Sequence, residues 1–372
     1  MLESTCMANP ELLQYKNSLS HLKFDSNVSG INRISSGNNR DDLYISAFEG
    51  VIDPGNIDKT KIKESKAFRR LSGKTQVVFD PDSPHIRTRN SHTEEVSSIA
   101  LNISDILGLN NSLTEAIALG HDIGHAPTGH LFERISKENF GVEFKHEVFS
   151  AVLAVFIERK GSGLNLTRQT IDGILNHSQG SSNFLPNHTT EESKIVMYSD
   201  KIAYIAADIK DLGRINAFKP SDLDEMHSIF PIESPYVDNQ RLFVTTCIQA
   251  LVRESAQKGF VSFEDSQVAQ NFKNLKKYMY GHYERLDSKL LQESIRSVIN
   301  EISSFQNYDP ILLTALMTDK EIEFLYQKII RSYKINIKDI SNFGVYEIIH
   351  DMDLQNQTYS DLVVRLRQQL SP

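Results

Sequence analysis

Apolar positions recur along most of this chain with the spacing of α-helices. Between residues 92 and 107 they form one helical stripe that comprises Val96, Ile99, Ala100, Ile103, Ile106 and Leu107. The same period predicts helices at 147–159, 167–176, 191–213, 240–256, 264–280, 286–304, 310–317, 319–331 and 358–370. The run "TQVVF", residues 75–79, has strand character, but it is short. The pattern therefore predicts a mainly α protein.

Local signals divide the chain into three regions. The first 40 residues are rich in Ser and Asn, and "SSGNNRDD" is typical of a loop. Helical periodicity begins near Ile62, and Ser112 with Glu115 forms a capping-box pattern before an apolar run. We expect an N-terminal arm at 1–57, a catalytic core at 58–215, and a C-terminal helical region at 216–372 that packs on the core.

The segment "HDIGHAPTGH", residues 121–130, follows an apolar run and contains three histidines and an aspartate. His121 and Asp122 are adjacent, and adjacent residues on one continuous helix do not face the same way. If both contact one centre, the helix must end there, and Gly124 and Pro127 supply the break. Imidazole with carboxylate suits Mn, Fe, Zn or Mg rather than a metal selected by thiolates.

Further ligands must come from elsewhere in the chain. His92 lies on the apolar stripe of its helix, so it is either a buried, hydrogen-bonded side chain or a ligand aimed inward. Asp200, Tyr204 and Asp208 form a polar stripe at i, i+4 and i+8 on a helix that is otherwise apolar over much of its surface. Buried carboxylates are costly unless they are paired or bound to a metal. Asp200 is thus either a ligand or a partly exposed carboxylate.

Together these residues resemble a known family. The pattern H…HD…D, formed by His92, His121 with Asp122, and Asp200, is the signature of HD-domain metal-dependent phosphohydrolases. The blocks "SKAFRRLSGKTQVVF", "RTRNSHTEEV", "LTEAIALGHDIGHAPTGHLFE" and "SDKIAYIAADIKD" are similar, in order and spacing, to the dGTPase-like deoxynucleoside triphosphate triphosphohydrolases. The likeness covers residues 58 to 213 and implies an HD-domain helical fold with additional peripheral helices.

The resemblance implies hydrolysis of dNTPs to a deoxynucleoside and inorganic triphosphate, in control of the dNTP pool. It implies a divalent ion (Mn, Mg or Fe) held by His92, His121, Asp122 and Asp200. It also assigns catalytic and substrate-binding positions. The catalytic ones are His125, His130, Glu133 and His146, and the substrate-binding ones are Gln76, Arg89, Lys201, Tyr204 and Asp208.

For some nearby residues a structural role explains the sequence at least as well as a role in binding the substrate. Arg69, Arg70 and Arg87 fit a solvated charge run or a subunit contact as well as they fit phosphate binding. A structural role is the better interpretation of His177. The family likeness also leads us to expect a homo-oligomer, often a hexamer, and raises the question of a regulatory dNTP.

The composition of the chain indicates its binding partners and its cellular location. Over 372 residues, 40% are hydrophobic and 24% charged, and the formal net charge is −8. Binding to nucleic acid is therefore not expected from the net charge. Cys6 and Cys247 fit no disulfide framework or zinc spacing. Because we find neither a membrane-spanning apolar stretch nor a secretory signal, we expect a cytoplasmic protein.

Two other functions remain open at this point. An HD phosphohydrolase acting on a nucleoside monophosphate or a signalling nucleotide would keep the four metal ligands without needing "FRRL…KTQ" or the stripe of Tyr204 and Asp208. A nucleotide-sensing protein without catalysis would not need His130 and Glu133.

Overall fold

Helices dominate the part of the chain that the structure describes, and this confirms the mainly α class. In the computed structural model the described residues are 10–25, 32–37, 42–79, 83, 85–178, 189–231, 240–286, 288–341 and 356–371. Cys6 and residues 38–41 of the predicted loop at 35–42 lie outside these ranges.

The N-terminal elements are short. They are α1 (Pro10–Leu13), β1 (Arg33–Ile34), α2 (Leu43–Phe48), α3 (Pro54–Glu64) and α4 (Lys66–Arg70), with 3-10 turns at Ser20–Leu22 and Leu71–Gly73. Helix α3 begins earlier than the periodicity near Ile62 indicated. The Asp53 carboxylate accepts from Gly55 N at 2.8 Å, and Pro54 fills the first helical position, so the start is fixed by capping rather than by apolar spacing.

The central helices surround α6. They are α5 (Arg89–Leu107), α6 (Asn111–Gly120), α7 (His130–Phe140), α8 (His146–Val152), α9 (Arg168–Asn176) and α10 (Glu191–Arg214). A π-helical segment, Leu153–Ile157, continues α8, and strand β2 (Leu166–Thr167) pairs antiparallel with β1. Helix α6 packs against α3, α5, α9 and α10, while α5 also packs against α10.

Two local predictions were wrong. Helix α6 is capped by Asn110, whose side chain accepts from Leu113 N at 3.0 Å, and not by Ser112. Glu115 binds Lys59 at 2.6 Å and so takes no part in capping. Residues 75–79 form no strand. Thr75 makes one isolated bridge to Thr88, and its amide donates to Asp319 Oδ2 at 2.6 Å, so the backbone bonds to a carboxylate rather than to a neighbouring strand.

The C-terminal region is helical, as predicted. Within its described residues the helices are α11 (Pro220–Ile229), α12 (Gln240–Lys258), α13 (Gln267–Leu286), α14 (Lys289–Ile302), α15 (Pro310–Ala315), α16 (Asp319–Ile330), α17 (Ile337–Ser341) and α18 (Tyr359–Leu370). Helices α11 and α17 were not predicted. Helix α13 runs to Leu286, beyond the predicted end at 280, and this extension matters for the site. None of the described helices is long and apolar enough to cross a bilayer.

Two buried apolar clusters support the fold. One joins α5, α6, α10, α12 and α13, and the other joins α6 with α8, α9, α14, α15, α16 and α18. Helix α6 contributes Ile117 and Ala118 to the first cluster and Leu119 to the second. The segment 121–130 therefore leaves α6 at the junction of the two cores.

Candidate active site

The loop between α6 and α7 is fixed by contacts with α8. Helix α6 stops at Gly120, as the break in the sequence predicted. The Ser150 hydroxyl on α8 donates to His121 O at 2.8 Å and accepts from Gly124 N at 2.9 Å. A Cβ on Gly124 would lie 2.1 Å from Ser150 N, so only glycine permits this approach.

A second glycine shapes the other end of this loop. Gly129, the residue before α7, has φ 62°, in the left-handed region that favours glycine. A Cβ there would lie 2.9 Å from Arg89 Nη2 and 3.1 Å from His125 Cε1. The loop thus passes close to two residues that the sequence assigned to the site.

The structure brings the predicted metal ligands together. His92 Nε2 lies 3.0 Å from Asp200 Oδ1, and His121 Nε2 lies 3.7 Å from the same oxygen. Asp122 Oδ1 lies 3.6 Å from His121 Nε2. His92, His121 and Asp122 are buried, and Asp200 is half-buried. Helices α5 and α10 and the loop after α6 therefore contribute nitrogen and oxygen donors that join at His121: one group is His92, His121 and Asp200, and a second is His121, Asp122 and His177.

The state of His121 fits a metal ligand. Its Nδ1 lies 2.7 Å from Ala118 O and therefore carries the proton, as the hydrogen-bond network assigns it. Its Nε2 atom is buried and has no hydrogen-bond partner among the described residues. A backbone hydrogen bond that fixes the tautomer, with the other nitrogen free, is the usual arrangement of a histidine that binds a metal.

Both carboxylates of the cluster are anionic. Burial alone would raise the pKa of Asp122, but the surrounding imidazoles and the Arg89 guanidinium, His121 first, outweigh burial and hold it well below the usual range. For Asp200, burial is outweighed by the close approach of the imidazoles of His121 and His92, which again holds the pKa well below the usual range. Two anionic and two imidazole donors can balance a divalent ion of the Mn, Fe, Zn or Mg type.

Arg89 has a contact that the sequence did not indicate. Its Nη1 donates to Asp122 Oδ2 at 3.0 Å, and its Nε donates to Thr75 O at 3.0 Å. Arg89 therefore orients the Asp122 carboxylate and leaves Oδ1 facing His121. It also lines the cavity described below, so a contact with a substrate phosphate stays a prediction.

Glu133 is shared by two histidines. Its Oε1 accepts from His146 Nδ1 at 2.7 Å and from His146 N at 3.0 Å, while its Oε2 lies 3.3 Å from His130 Nδ1. His146 is buried, whereas 71% of the His130 side chain is exposed. The His125 ring stacks on the His146 ring with 4.4 Å between centroids. The four predicted catalytic residues thus form one group.

The charges within this group follow from its contacts. Burial would lower the pKa of His146, but the carboxylates of Glu133 and Glu147 outweigh it and raise the pKa to about 10. Burial and the charge of Arg89 hold the pKa of His125 well below its usual range. At neutral pH His146 is therefore an imidazolium and His125 a neutral imidazole.

His177 belongs to this group, although the sequence suggested only a structural role. Its Nδ1 donates to Ile174 O at 2.7 Å, so its Nε2 accepts from His146 Nε2 at 3.3 Å. Burial and the nearby charges of His121 and His146 lower its pKa to about 4. No feature of "ILNHS" indicated this contact, because it depends on how α9 packs against α8.

A cavity of about 610 Å³ opens beside these groups. Its volume is in the range of small-molecule sites. All five predicted substrate-binding residues line it, namely Gln76, Arg89, Lys201, Tyr204 and Asp208, together with Asp122, Asp200, His125, His130, His146 and His177. His92, His121 and Glu133 do not line this cavity. Each of them lies next to a residue that does: Asp200, Asp122 and His146, respectively.

The sequence did not indicate several polar residues of the cavity wall. Among them are Arg134 on α7 and Lys276, Tyr280 and Tyr283 on α13. The α13 residues have helical spacing, so their common face could have been inferred, but the helix against which that face packs could not. Tyr280 OH lies 3.2 Å from Tyr204 OH.

Asp208 and Arg87 differ from what the sequence indicated. The sequence placed Asp208 on the polar stripe of α10, where a buried carboxylate needs a partner. The protein itself supplies donors: Arg87 Nη2 at 2.5 Å and Tyr283 OH at 2.8 Å. Arg87 also binds Asp211 Oδ2 at 2.9 Å and is buried, so it does not belong to a solvated charge run. A contact between Asp208 and substrate stays a prediction, now without the argument from an unpaired carboxylate.

Lys201 carries its charge near the carboxylate of the preceding residue. Burial, and then the charge of Lys276, lower the pKa of Lys201 to about 8, although Asp200 opposes this shift. Two lysines on different helices therefore lie on one wall of the cavity, where they repel each other unless an anion lies between them.

Comparison with known proteins agrees with this geometry. Residues 89–205, which contain all four donors, match the HD domain. The helical fold and the H…HD…D cluster thus define an HD-domain protein.

Similar proteins indicate which family of HD-domain proteins is concerned. The chain is 49% identical over 166 residues to a deoxyguanosinetriphosphate triphosphohydrolase-like protein of Caldanaerobacter subterraneus subsp. tengcongensis, which covers 45% of this chain and 48% of that protein. It is 35% identical over 265 residues to a protein of the same name from Desulfatibacillum aliphaticivorans, covering 67% of this chain and 74% of that protein. A third, from Clostridium tetani, is 40% identical over 227 residues, which is 60% of this chain and 64% of that protein.

The chain belongs to the deoxyguanosinetriphosphate triphosphohydrolase-like family of HD-domain proteins. The match spans about half the length of the Caldanaerobacter relative.

Proposed function

We propose that this protein hydrolyses dNTPs to a deoxynucleoside and inorganic triphosphate with the help of a divalent metal ion. One observation carries the proposal: a cluster of two imidazoles and two carboxylates lies against a cavity lined by cationic and tyrosine side chains. The names of the relatives, which refer to deoxyguanosine triphosphate, support the same reaction.

His92, His121, Asp122 and Asp200 would hold the ion, which when bound supplies the Lewis acidity that makes the α-phosphorus more electrophilic. The chain's own residues provide the rest. A triphosphate carries close to four negative charges, so several cations must converge on it. Arg89, Lys201, Lys276 and Arg134 line the cavity and give its wall positive charge.

The reaction needs two proton transfers. A bond forms between a water oxygen and the α-phosphorus, the bond from phosphorus to the 5′-oxygen breaks, one proton leaves the water and one reaches the 5′-oxygen. His130 faces the cavity and is oriented by Glu133, so it moves one of these protons. His146 is an imidazolium in the same group, while the neutral His125 stacks on it.

Sugar recognition falls to α10 and to the segment before α5. Tyr204 lies one helical turn, about 6 Å, beyond Asp200, where the sugar of a bound dNTP would lie. Tyr204, Asp208 and Gln76 line the same cavity. In a bound dNTP the Tyr204 ring would crowd the 2′ position, and Asp208 and Gln76 would bind the 3′-hydroxyl. Deoxyribose is therefore favoured over ribose.

The wider properties expected from the resemblance belong to this proposal. They are a native ion that is Mn, Mg or Fe, a homo-oligomer such as a hexamer, regulation by a dNTP, control of the cytoplasmic dNTP pool, and the three-part division at residues 57 and 215.

Product analysis tests the function. The protein, supplied with Mn²⁺ or Mg²⁺, is incubated with each of the four dNTPs, and phosphate products are separated by ion-exchange chromatography. Inorganic triphosphate and deoxynucleoside in equal amounts are expected. Pyrophosphate with a monophosphate, or hydrolysis of other nucleotides alone, would indicate another HD phosphohydrolase, and binding without turnover would indicate a sensing protein.

A further inference from the structure

A buried carboxylate from the C-terminal region joins two segments of the site. Asp319 is the first residue of α16 and is only 2% exposed. Its Oδ2 accepts from Thr75 N at 2.6 Å and also from the Thr75 hydroxyl, while its Oδ1 accepts from Thr128 N at 3.1 Å. Thr75 and Thr128 are 53 positions apart in the chain, so this one side chain spans both segments.

The first segment leads to the metal cluster in two further steps. Thr75 O accepts from Arg89 Nε at 3.0 Å, and Arg89 Nη1 donates to Asp122 Oδ2 at 3.0 Å. The backbone reinforces the link, because Arg89 N donates to Lys74 O at 2.9 Å. A shift of Thr75 would therefore move Arg89 and change the orientation of the Asp122 carboxylate.

The second segment leads to the proton-transfer group. Thr128 has φ 61°, a left-handed conformation that a β-branched residue adopts only under constraint. Gly129 follows it, and His130 then begins α7. The hydrogen bond from Thr128 N to Asp319 holds this strained residue and with it the position from which His130 projects.

Lys74 makes a second connection between the C-terminal helices and the loop 121–130. The Lys74 ammonium is buried and donates to His125 O and, at 3.1 Å, to Ala315 O at the end of α15. The junction of α15 and α16 thus contacts the loop 121–130 at His125 as well as at Thr128.

We propose that Asp319 is a positioning residue, through which the C-terminal helices hold Asp122 and His130 in register across the site. It contacts neither of them directly. Its measured effect on turnover rests on the proposed function, but its effects on metal affinity and on local backbone protection do not.

The test compares Asp319→Asn with a matched control on the same helix. Asparagine keeps the shape but has one acceptor oxygen, so its amide group must face an N–H donor of Thr75 or Thr128. The control is Glu321→Gln. Glu321 is also buried, binds Arg70 and caps its own helix through Thr318, and among the described residues it makes no hydrogen bond to Thr75 or Thr128.

The main readout is the affinity of the full chain for Mn²⁺, measured from the free-ion EPR signal. Asp319→Asn should weaken Mn²⁺ binding by about 10-fold, the lower end of the effect of losing an outer partner of a metal ligand, because Asp319 reaches Asp122 only through Thr75 and Arg89. Backbone amide exchange should accelerate in peptides that contain Thr75 and Thr128. The kcat for dNTP hydrolysis should fall by about 100-fold, as expected for a small misplacement of reacting groups.

Glu321→Gln should lower the melting temperature without these changes. Thr75→Val, which removes only the hydroxyl donor, should give a weaker form of the Asp319→Asn result and replaces it if that variant does not fold. The proposal would be overturned if Asp319→Asn kept the Mn²⁺ affinity and the backbone amide exchange rates of the unmodified protein. It would also be overturned if Glu321→Gln lost Mn²⁺ affinity and amide protection to the same extent. If the unmodified protein releases no triphosphate, the proposed function fails, while Mn²⁺ affinity and exchange still decide the role of Asp319.

Discussion

Glu133 is bound more closely by His146 than by His130: Oε1 lies 2.7 Å from His146 Nδ1, and Oε2 lies 3.3 Å from His130 Nδ1. Burial would raise the pKa of Glu133, but the charge of His146 and the hydrogen bonds from both imidazoles hold it well below its usual range. One carboxylate therefore balances a buried imidazolium and orients an exposed imidazole. The two histidines should respond differently to substitution.

His130→Ala should reduce kcat by about 10²- to 10⁴-fold, the usual contribution of a general acid or base. Because His130 is exposed and contacts no member of the metal cluster, Mn²⁺ affinity and the melting temperature should stay unchanged. Steady-state kinetics with one dNTP, together with Mn²⁺ binding, checks this.

The control is His227→Ala, the same replacement at an exposed position on α11. A loss confined to KM in His130→Ala would instead make His130 a substrate-binding residue.

His121→Ala or Asp122→Ala should abolish turnover and remove the bound metal from a protein that still folds. Each change deletes a donor whose neighbours lie within 3.7 Å, and the remaining ligands are too few for tight binding. Elemental analysis after dialysis and circular dichroism provide the measurement. Retention of both metal and activity in either variant would contradict the assignment of the cluster.

Much of the metal cluster could be predicted because its core is contiguous in sequence. His121 and Asp122 are adjacent, the end of α6 is visible as Gly124 and Pro127, and His92 lies on a clear apolar stripe. The bounds of one long helix were also predictable, since α10 at Glu191–Arg214 matches the prediction of 191–213.

What the sequence could not provide was the identity of partners across the fold. Tyr283 has a helical neighbour in Tyr280, but only tertiary packing brings its hydroxyl to Asp208. The run 75–79 has strand character, yet the Thr75 amide bonds to Asp319, more than 240 positions away, and this bond replaces a strand partner. Such pairings depend on the arrangement of whole helices, which a single sequence does not encode locally.

Glu254 should make stability depend on pH. Its carboxylate accepts from Ser262 Oγ at 2.7 Å and from the backbone amides of Glu264 at 2.7 Å and Ser266 at 3.0 Å. Burial opposes ionisation, but these bonds outweigh it and lower the pKa from 4.5 to about 2. Because the folded pKa is depressed, the stabilisation is complete above pH 4.5 and disappears as the pH falls through about 2.

Glu254→Gln should therefore lower the free energy of unfolding at pH 7 by about 1–3 kcal/mol. The difference from the unmodified protein should shrink below pH 4.5, as urea titrations at several pH values would measure. Asp265→Asn is the control, because its side chain is 72% exposed and its pair with Lys258 is a surface contact of little net value. The lowered pKa of Glu254 would be contradicted if the difference in free energy of unfolding between Glu254→Gln and the unmodified protein stayed constant down to pH 2.

Tyr204 should exclude ribonucleotides. The residue lies one turn beyond Asp200 on α10, lines the cavity, and has its hydroxyl 3.2 Å from Tyr280 OH, so its ring is held at the place assigned to the sugar. The unmodified protein should favour a dNTP over the matched rNTP by about 100-fold or more in kcat/KM, since rejection of an added hydroxyl by a tight pocket reaches that order.

Tyr204→Ala and Tyr204→Phe separate the contribution of the ring from that of the hydroxyl. Tyr204→Ala should bring the ratio of dNTP to rNTP efficiency toward unity and lower both values, because the ring also positions the sugar. Tyr204→Phe keeps the ring, loses only the contact with Tyr280, and should retain the discrimination. Asp208→Asn is a poorer probe of the sugar, because it also breaks the buried pair with Arg87 and so changes stability together with turnover. Equal kcat/KM for the dNTP and rNTP in the unmodified protein would refute selection by Tyr204 and favour an HD phosphohydrolase of broader substrate range.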